Sequence, residues 1–251
     1  MKLVDRTILI TGGSSGIGLA LAGQLLARGN VVIVTGRSEQ ALEKAEQRFP
    51  GLVALQSDVG DREGIRLLYE TAVGRFPTLD TVINNAGIMR ILKLDDDRPL
   101  DDVTAEIDID LSGPIRMVQQ FLPHLLRRPD ALIVNVSSGL AFVPFTISPV
   151  YSAAKAGLHA YTRCLREQLK DTRVKVVELA PPLTETPLYR TEFADRMNGQ
   201  KGMAVDTLVR HALAGIDAGK TEIRPGLSNV LKIASRVAPG AIFRQMSKVR
   251  P

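Results

Sequence analysis

Short apolar runs rich in β-branched residues alternate along the chain with amphipathic stretches of helical period. The runs are TILIT (7–11), VVIVT (31–35), LVALQ (52–56), TVIN (81–84), ALIVNV (131–136) and VKVVEL (174–179), with a weaker seventh at TEIR (221–224). Helical segments fall between them at 16–28, 38–49, 61–75, 100–127, 151–170 and 204–218. Strands that are apolar throughout, rather than at every second residue, are buried on both faces, and a strand-helix-strand alternation places them in parallel. The pattern predicts an α/β chain: a doubly wound parallel sheet of about seven strands with helices on both faces. Ser38 and Asp61 stand where helix N-caps belong, and Gly29 stands where a C-terminal glycine belongs. With no repeat, low-complexity tract or linker, residues 1–251 read as one domain.

The first strand runs into TGGSSGIG (11–18), which opens the first helix. Gly12 permits a tight turn, Gly16 lets the backbone approach a pyrophosphate, and Gly18 lets helix and strand pack closely. The free N–H groups and partial positive charge of the helix start favour phosphate, so Ser14, Ser15 and Ile17 belong to the same expected site. At the end of the second strand an NAD-preferring protein would carry a carboxylate for the ribose 2′-hydroxyl. This chain has Gly36 and then Arg37. A guanidinium binds a 2′-phosphate that a carboxylate would repel, so NADP(H) is the preferred cofactor and NAD(H) the alternative. The bland reading is that Arg37 is a solvated charge or stacks on adenine without discriminating. Asp58, followed by Val59, either accepts a bond from the adenine amino group or caps a helix. NNAG (84–87) ends the fourth strand, with Asn85, Ala86 and Gly87 at the same end of the sheet as the glycine turn.

In PVYSAAKAG (149–157), Tyr151 and Lys155 lie four residues apart, on one face of a helix. The neighbouring ammonium and the nicotinamide's positive charge both favour the phenolate, which makes the tyrosine proton easier to move. Ser138 ends the fifth strand and can hydrogen-bond the same substrate oxygen. TGGSSGIG, NNAG, NVSS and YSAAK, in this order and spacing, resemble the short-chain dehydrogenase/reductase family in its short type. Within it, LAPPLTETPL and TEIRPG…RVAPG resemble the branch that includes an oxidoreductase encoded with lipoteichoic-acid D-alanylation genes. The resemblance implies a Rossmann-type fold and a catalytic set of Ser138, not Ser137, with Tyr151 and Lys155. It also implies that Lys155 bonds the nicotinamide ribose, and that the protein is a homodimer or homotetramer packed through the 100–127 and 151–170 helices.

Two positions depart from the family pattern. DLSGP places Asp110 where the family has asparagine. In the family that residue's main-chain carbonyl holds a water linked to the lysine; Pro114 has no N–H and leaves the Asp110 carbonyl free for that role. The extra carboxylate near Lys155 is expected to shift the pH optimum. Where the family has Pro-Gly, this chain has Pro181-Pro182, which removes a backbone donor and leaves Thr184 or Thr186 to reach the diphosphate.

Other features bound the function. The formal charge is +5, but the cations are scattered and no dense basic block suggests nucleic acid. No run approaches the length of a membrane helix, and the protein is expected to be cytoplasmic, without a membrane partner. The single cysteine, Cys164, reads as a packed core thiol. His124, His159 and His211 show no paired carboxylate or ligand spacing, so no metal is expected. The basic tail has helical period on both sides of Pro239-Gly240 and is expected to pack on the core or a neighbouring subunit, with contact to a membrane surface as the alternative. The polar stretch 183–203 follows a strand and is expected to be a lid over the pocket. Leu140, Phe142, Val143 and Phe145 with that lid imply an apolar or aromatic carbonyl or alcohol substrate. The expected function is an NADP(H)-dependent oxidoreductase; the alternatives are a non-catalytic cofactor-binding sensor or scaffold, and an epimerase or dehydratase using the same triad.

Overall fold

Seven strands form one sheet: β1 (Thr7–Thr11), β2 (Val31–Gly36), β3 (Val53–Gln56), β4 (Thr81–Asn84), β5 (Ala131–Val136), β6 (Val174–Leu179) and β7 (Glu222–Ile223). In the computed structural model, which describes residues 2–193 and 200–249, all pairs are parallel and the order is β3-β2-β1-β4-β5-β6-β7. Every residue of β1 and β5 is buried, as runs without polar alternation require. The order reverses between β1 and β4, so their carboxyl ends diverge into a crevice.

Helices α1 (Gly16–Leu26) and α2 (Glu39–Arg48) cover one face with a later helix, α8 (Val205–Asp217); Leu21, Leu42 and Leu213 pack there against Ile8, Val34 and Val134. On the other face lie α3 (Arg62–Arg75), α5 (Gly113–Leu125) and α6 (Pro149–Gln168), where Leu68, Phe121 and Leu165 meet Leu9, Val82 and Ile133. Each such fully buried side chain contributes about 1.5–3 kcal/mol, which is what holds the layers together. The caps stand as expected: Ser38 Oγ accepts from Ala41 N–H at 3.2 Å, and Asp61 Oδ1 from Glu63 N–H at 3.0 Å. Gly29 takes φ +82° after α1.

The segment expected as one helix over 100–127 is broken. Helix α4 (Leu100–Ile107) passes into a wide π turn at Asp108–Ser112 before α5 begins. Gly113 N–H donates to the Asp108 carbonyl, five residues back. Pro114 is the reason: it offers no N–H to the carbonyl of Asp110, and its ring crowds that carbonyl in an ordinary turn.

The tail folds as α9 (Leu227–Val237) and α10 (Pro239–Met246) on either side of the predicted break. Within 183–203, a short helix α7 (Pro187–Glu192) leads away from β6, and a bridge between Thr184 and Met203 closes the base of the segment. Residues 194–199 of the expected lid lie outside the described residues. Two expectations fail. Cys164 is exposed, because it falls on the face of α6 opposite Leu158, Thr162 and Leu165. His159 does have a carboxylate partner, with Nδ1 2.7 Å from Glu178 Oε2; the pair is made between α6 and β6, which spacing does not reveal.

Candidate active site

The crevice between β1 and β4 is built from two cross-linked turns. Thr11 Oγ1 accepts from the N–H groups of Asn85 and Ala86 at 3.0 and 3.1 Å. Asn85 Nδ2 donates to the Thr11 and Gly12 carbonyls at 3.0 and 3.1 Å. A Cβ on Gly12, at φ +65°, would lie 2.7 Å from Ala86 Cα, and one on Gly18 would lie 2.3 Å from the Gly12 carbonyl oxygen. Only glycine lets these turns approach so closely. The resulting cleft, about 230 Å³, is lined by Ser14, Ser15, Gly16 and Ile17 on one side and by Ala86 and Gly87 on another. Ser15 caps α1 without a side-chain bond, which leaves the first-turn N–H groups to an occupant of the cleft.

Arg37, Asp58, Val59 and Thr186 also line this cleft. The Arg37 carbonyl accepts from Gln56 Nε2 at 2.9 Å, joining the ends of β2 and β3, and no carboxylate of the described residues pairs with its guanidinium. Asp58 is not a helix cap: Oδ1 accepts from Gly60 N–H at 2.8 Å, and Asp61 caps α3. Thr35, which sequence reasoning missed, also lines the cleft and holds a buried hydroxyl oxygen without a partner.

A larger cavity of about 680 Å³ adjoins the cleft, sharing Ile17, Asn85, Gly87, Thr186 and Leu188 as walls. Ser138, Tyr151 and Lys155 line it together. Pro149 starts α6, so Tyr151 falls in its first turn and Lys155 one turn later. Lys155 Nζ donates to the Val136 carbonyl at 3.1 Å and sits 5.6 Å from the centre of the Tyr151 ring. Asp110 is fully buried beside it. Its Oδ1 accepts from Ile88 N–H at 2.8 Å; its Oδ2 lies 3.9 Å from Nζ and has no hydrogen-bond partner. Burial pushes the Asp110 carboxyl up to about 7, against the pull of the Lys155 charge.

Burial and then the Asp110 charge push the Tyr151 phenol above its ordinary value, and the Ser138 hydroxyl pulls the other way. The resting group is a phenol with a proton to give. Ser138 Oγ accepts from Leu140 N–H at 3.1 Å, whereas the Ser137 hydroxyl is turned away to Glu178.

The cavity walls differ in part from expectation. Leu140 and Phe145 line it, but Phe142 and Val143 do not. Phe142 stacks edge-on against His159 and carries Lys232 Nζ 5.1 Å from its ring centre. Pro181 and Pro182 line the cavity with Thr184, whose Oγ1 donates to the Pro182 carbonyl at 2.7 Å; of the two threonines expected at the diphosphate, Thr186 lines the cleft and Thr184 does not. Thr186 Oγ1 caps α7 through Tyr189 N–H at 3.3 Å. Tyr189 and Phe193 of the expected lid segment line the cavity, whereas sequence reasoning missed Ile242, Met246 and Val249 from the tail. The helical period of the tail was the signal for the last three; nothing local told which wall it would reach.

The matched family model, short chain dehydrogenase, spans residues 6–197, and the chain belongs to that family. It is an enzyme of the short-chain dehydrogenase/reductase class with a Rossmann-like fold. It is 40% identical over 250 residues to the uncharacterized oxidoreductase DltE of Bacillus subtilis (strain 168), covering 98% of each chain. An uncharacterized oxidoreductase of Staphylococcus epidermidis is 31% identical over 229 residues, covering 89% of this chain and 99% of that one. Among solved structures, a short chain dehydrogenase from Burkholderia cenocepacia J2315 in complex with NADP superposes with a TM-score of 0.84 at 24% identity, covering 100% of both chains. One from Burkholderia phymatum in complex with NAD gives 0.84 at 19% identity, covering 100% of this chain and 99% of that one.

Proposed function

We propose that this enzyme is an NADP(H)-dependent oxidoreductase that interconverts a carbonyl compound and a secondary alcohol, with an apolar or aromatic substrate. The observation that carries the reading is the position of Ser138, Tyr151 and Lys155, on a cavity that shares its walls with the glycine-turn cleft. The cleft suits a dinucleotide. Its glycines keep the backbone low, its helix start offers N–H groups, and Thr35 holds an unpaired hydroxyl oxygen. Arg37, without a carboxylate partner among the described residues, favours a 2′-phosphate.

When bound, the nicotinamide supplies or accepts the hydride. Tyr151 gives its proton to the carbonyl oxygen during reduction and takes it back during oxidation. Ser138 Oγ holds that oxygen beside the phenol. Lys155, anchored on the Val136 carbonyl and flanked by Asp110, keeps a positive charge next to the phenol and bonds the cofactor ribose. Burial and the Asp110 charge favour the protonated phenol, the form that can donate to a carbonyl oxygen. A homodimer or homotetramer through α4, α5 and α6 belongs to the same reading and is tested by sedimentation velocity.

The catalytic test is NADPH oxidation across apolar, aromatic and sugar carbonyls, with NADH in parallel. The Tyr151→Phe enzyme is expected to lose about 10²–10⁴-fold in kcat while NADPH binding, read by fluorescence, is kept. A wild type no faster than Tyr151→Phe on every substrate would leave a cofactor-binding sensor instead. A free sugar as best substrate, or a higher kcat/KM with NADH, would overturn the substrate or cofactor half of the proposal.

A further inference from the structure

The positive excess of this chain is segregated at one end. Of its 32 Lys and Arg, six lie in residues 223–251 and none of its 27 Asp and Glu do, so the other 26 cations face 27 carboxylates. This segment folds as α9 and α10. One face of α9 is buried through Ser228, Leu231 and Lys232, and Lys232 is neutralised by Glu222. The opposite face is apolar and uncovered. Leu227, Val230, Ile233 and Val237 are 55%, 54%, 56% and 80% exposed, and Phe243 on α10 is 42% exposed. At spacings of three and four residues the four on α9 form one stripe along the helix. Arg236 is a surface neighbour of Ile233 one turn away; Arg244 and Lys248, also exposed and one turn apart, follow Phe243. Among the described residues no carboxylate pairs with any of these three cations.

We propose that the outer face of α9 and α10 docks on an anionic lipid surface. A helix with an apolar stripe beside unpaired cations, and no acid to repel phosphate, matches the chemistry of a membrane interface. A second copy of the chain fits less well, because a two-fold contact through this face would set its basic rim against itself. The stripe also continues into the cavity. Leu227 belongs to both, and Leu231, Ile242 and Met246 on the inner side of the same helices line the cavity. The docked face would therefore bring the mouth of an apolar site to an apolar phase.

Flotation of the full chain with vesicles tests this without turnover, so its failure leaves the oxidoreductase reading standing. Vesicles of phosphatidylcholine are compared with vesicles containing about one third phosphatidylglycerol. The protein is expected to float with the anionic vesicles only and to be released by salt. Joint Ile233→Asn and Val237→Asn should lower partitioning about tenfold, and each of Arg236→Gln and Arg244→Gln about fivefold. Circular dichroism and NADPH binding should stay unchanged in all of them. A protein that remains unbound at every composition, or binds neutral vesicles equally well, overturns the proposal. So does a stripe variant that changes only the sedimentation coefficient, which would assign the face to a second copy.

Discussion

Burial first, and then the charge of Asp110 buried beside Lys155, make the Tyr151 phenol hold its proton more tightly. Replacing Asp110 with asparagine keeps an acceptor for Ile88 N–H but removes the charge. The phenol should then ionise more readily. The acid limb of the pH–rate profile for alcohol oxidation is expected to move down by about one unit; an unmoved limb would show that Asp110 does not act on Tyr151. The same substitution has a stability signature. The folded carboxyl titrates at about 7 against an ordinary 3.8, so the native state binds the extra proton between those values. Stability from this group is highest at low pH and falls as pH rises through that window. The wild-type Tm should therefore drop more steeply from about pH 5 to pH 7.5 than that of Asp110→Asn. The sequence flagged Asp110 as a departure, but its burial arises from α4, α6 and the 88–90 segment closing round it.

Elements were legible where their signals are local. All seven predicted strands agree with the structure to within one residue at each end, because their apolar runs and their burial are the same property. The long helix was not, because one proline near the start of the 13-residue α5 outweighed the helical period around it. The glycine turn shows the local rule most sharply. A Cβ on Gly18 would strike the Gly12 carbonyl and Asn85 Nδ2, whereas one on Gly74 in α3 would meet nothing within 4 Å. Gly18→Ala is expected to cost about 1–3 kcal/mol and to weaken dinucleotide binding. Gly74→Ala should stabilise by about 0.4–1 kcal/mol and leave binding alone. Thermal melts and a fluorescence titration of both variants check this, and equal melts would refute the close approach at Gly18.

Across the whole molecule the two edges of the sheet do different work. The carboxyl edge carries the cleft and cavity. At the amino edge Arg6 joins the starts of three strands, 3.5 Å from Asp80, 3.2 Å from the Asp130 carbonyl and paired with the Asp130 carboxylate. Burial pushes the Asp80 carboxyl up, and Arg6 opposes that. Arg6→Ala should cost about 2–4 kcal/mol by leaving the half-buried Asp80 with only the Thr81 hydroxyl and the more distant Arg128 charge to offset it. Because the cleft lies at the opposite edge, kcat/KM of the folded enzyme should not change. A loss of kcat/KM at unaltered Tm would reverse that division.

The amino-acid sequence by itself determined the strand-helix alternation, the glycine turn, and the one-turn spacing of Tyr151 and Lys155. Each is a matter of backbone sterics or hydrophobic period acting within a few residues. Only the tertiary structure decided the buried charge of Asp110, the His159–Glu178 pair, the exposure of Cys164, and the tail as both cavity wall and outward apolar stripe. These depend on which distant segments exclude water from a side chain, and no local pattern carries that information.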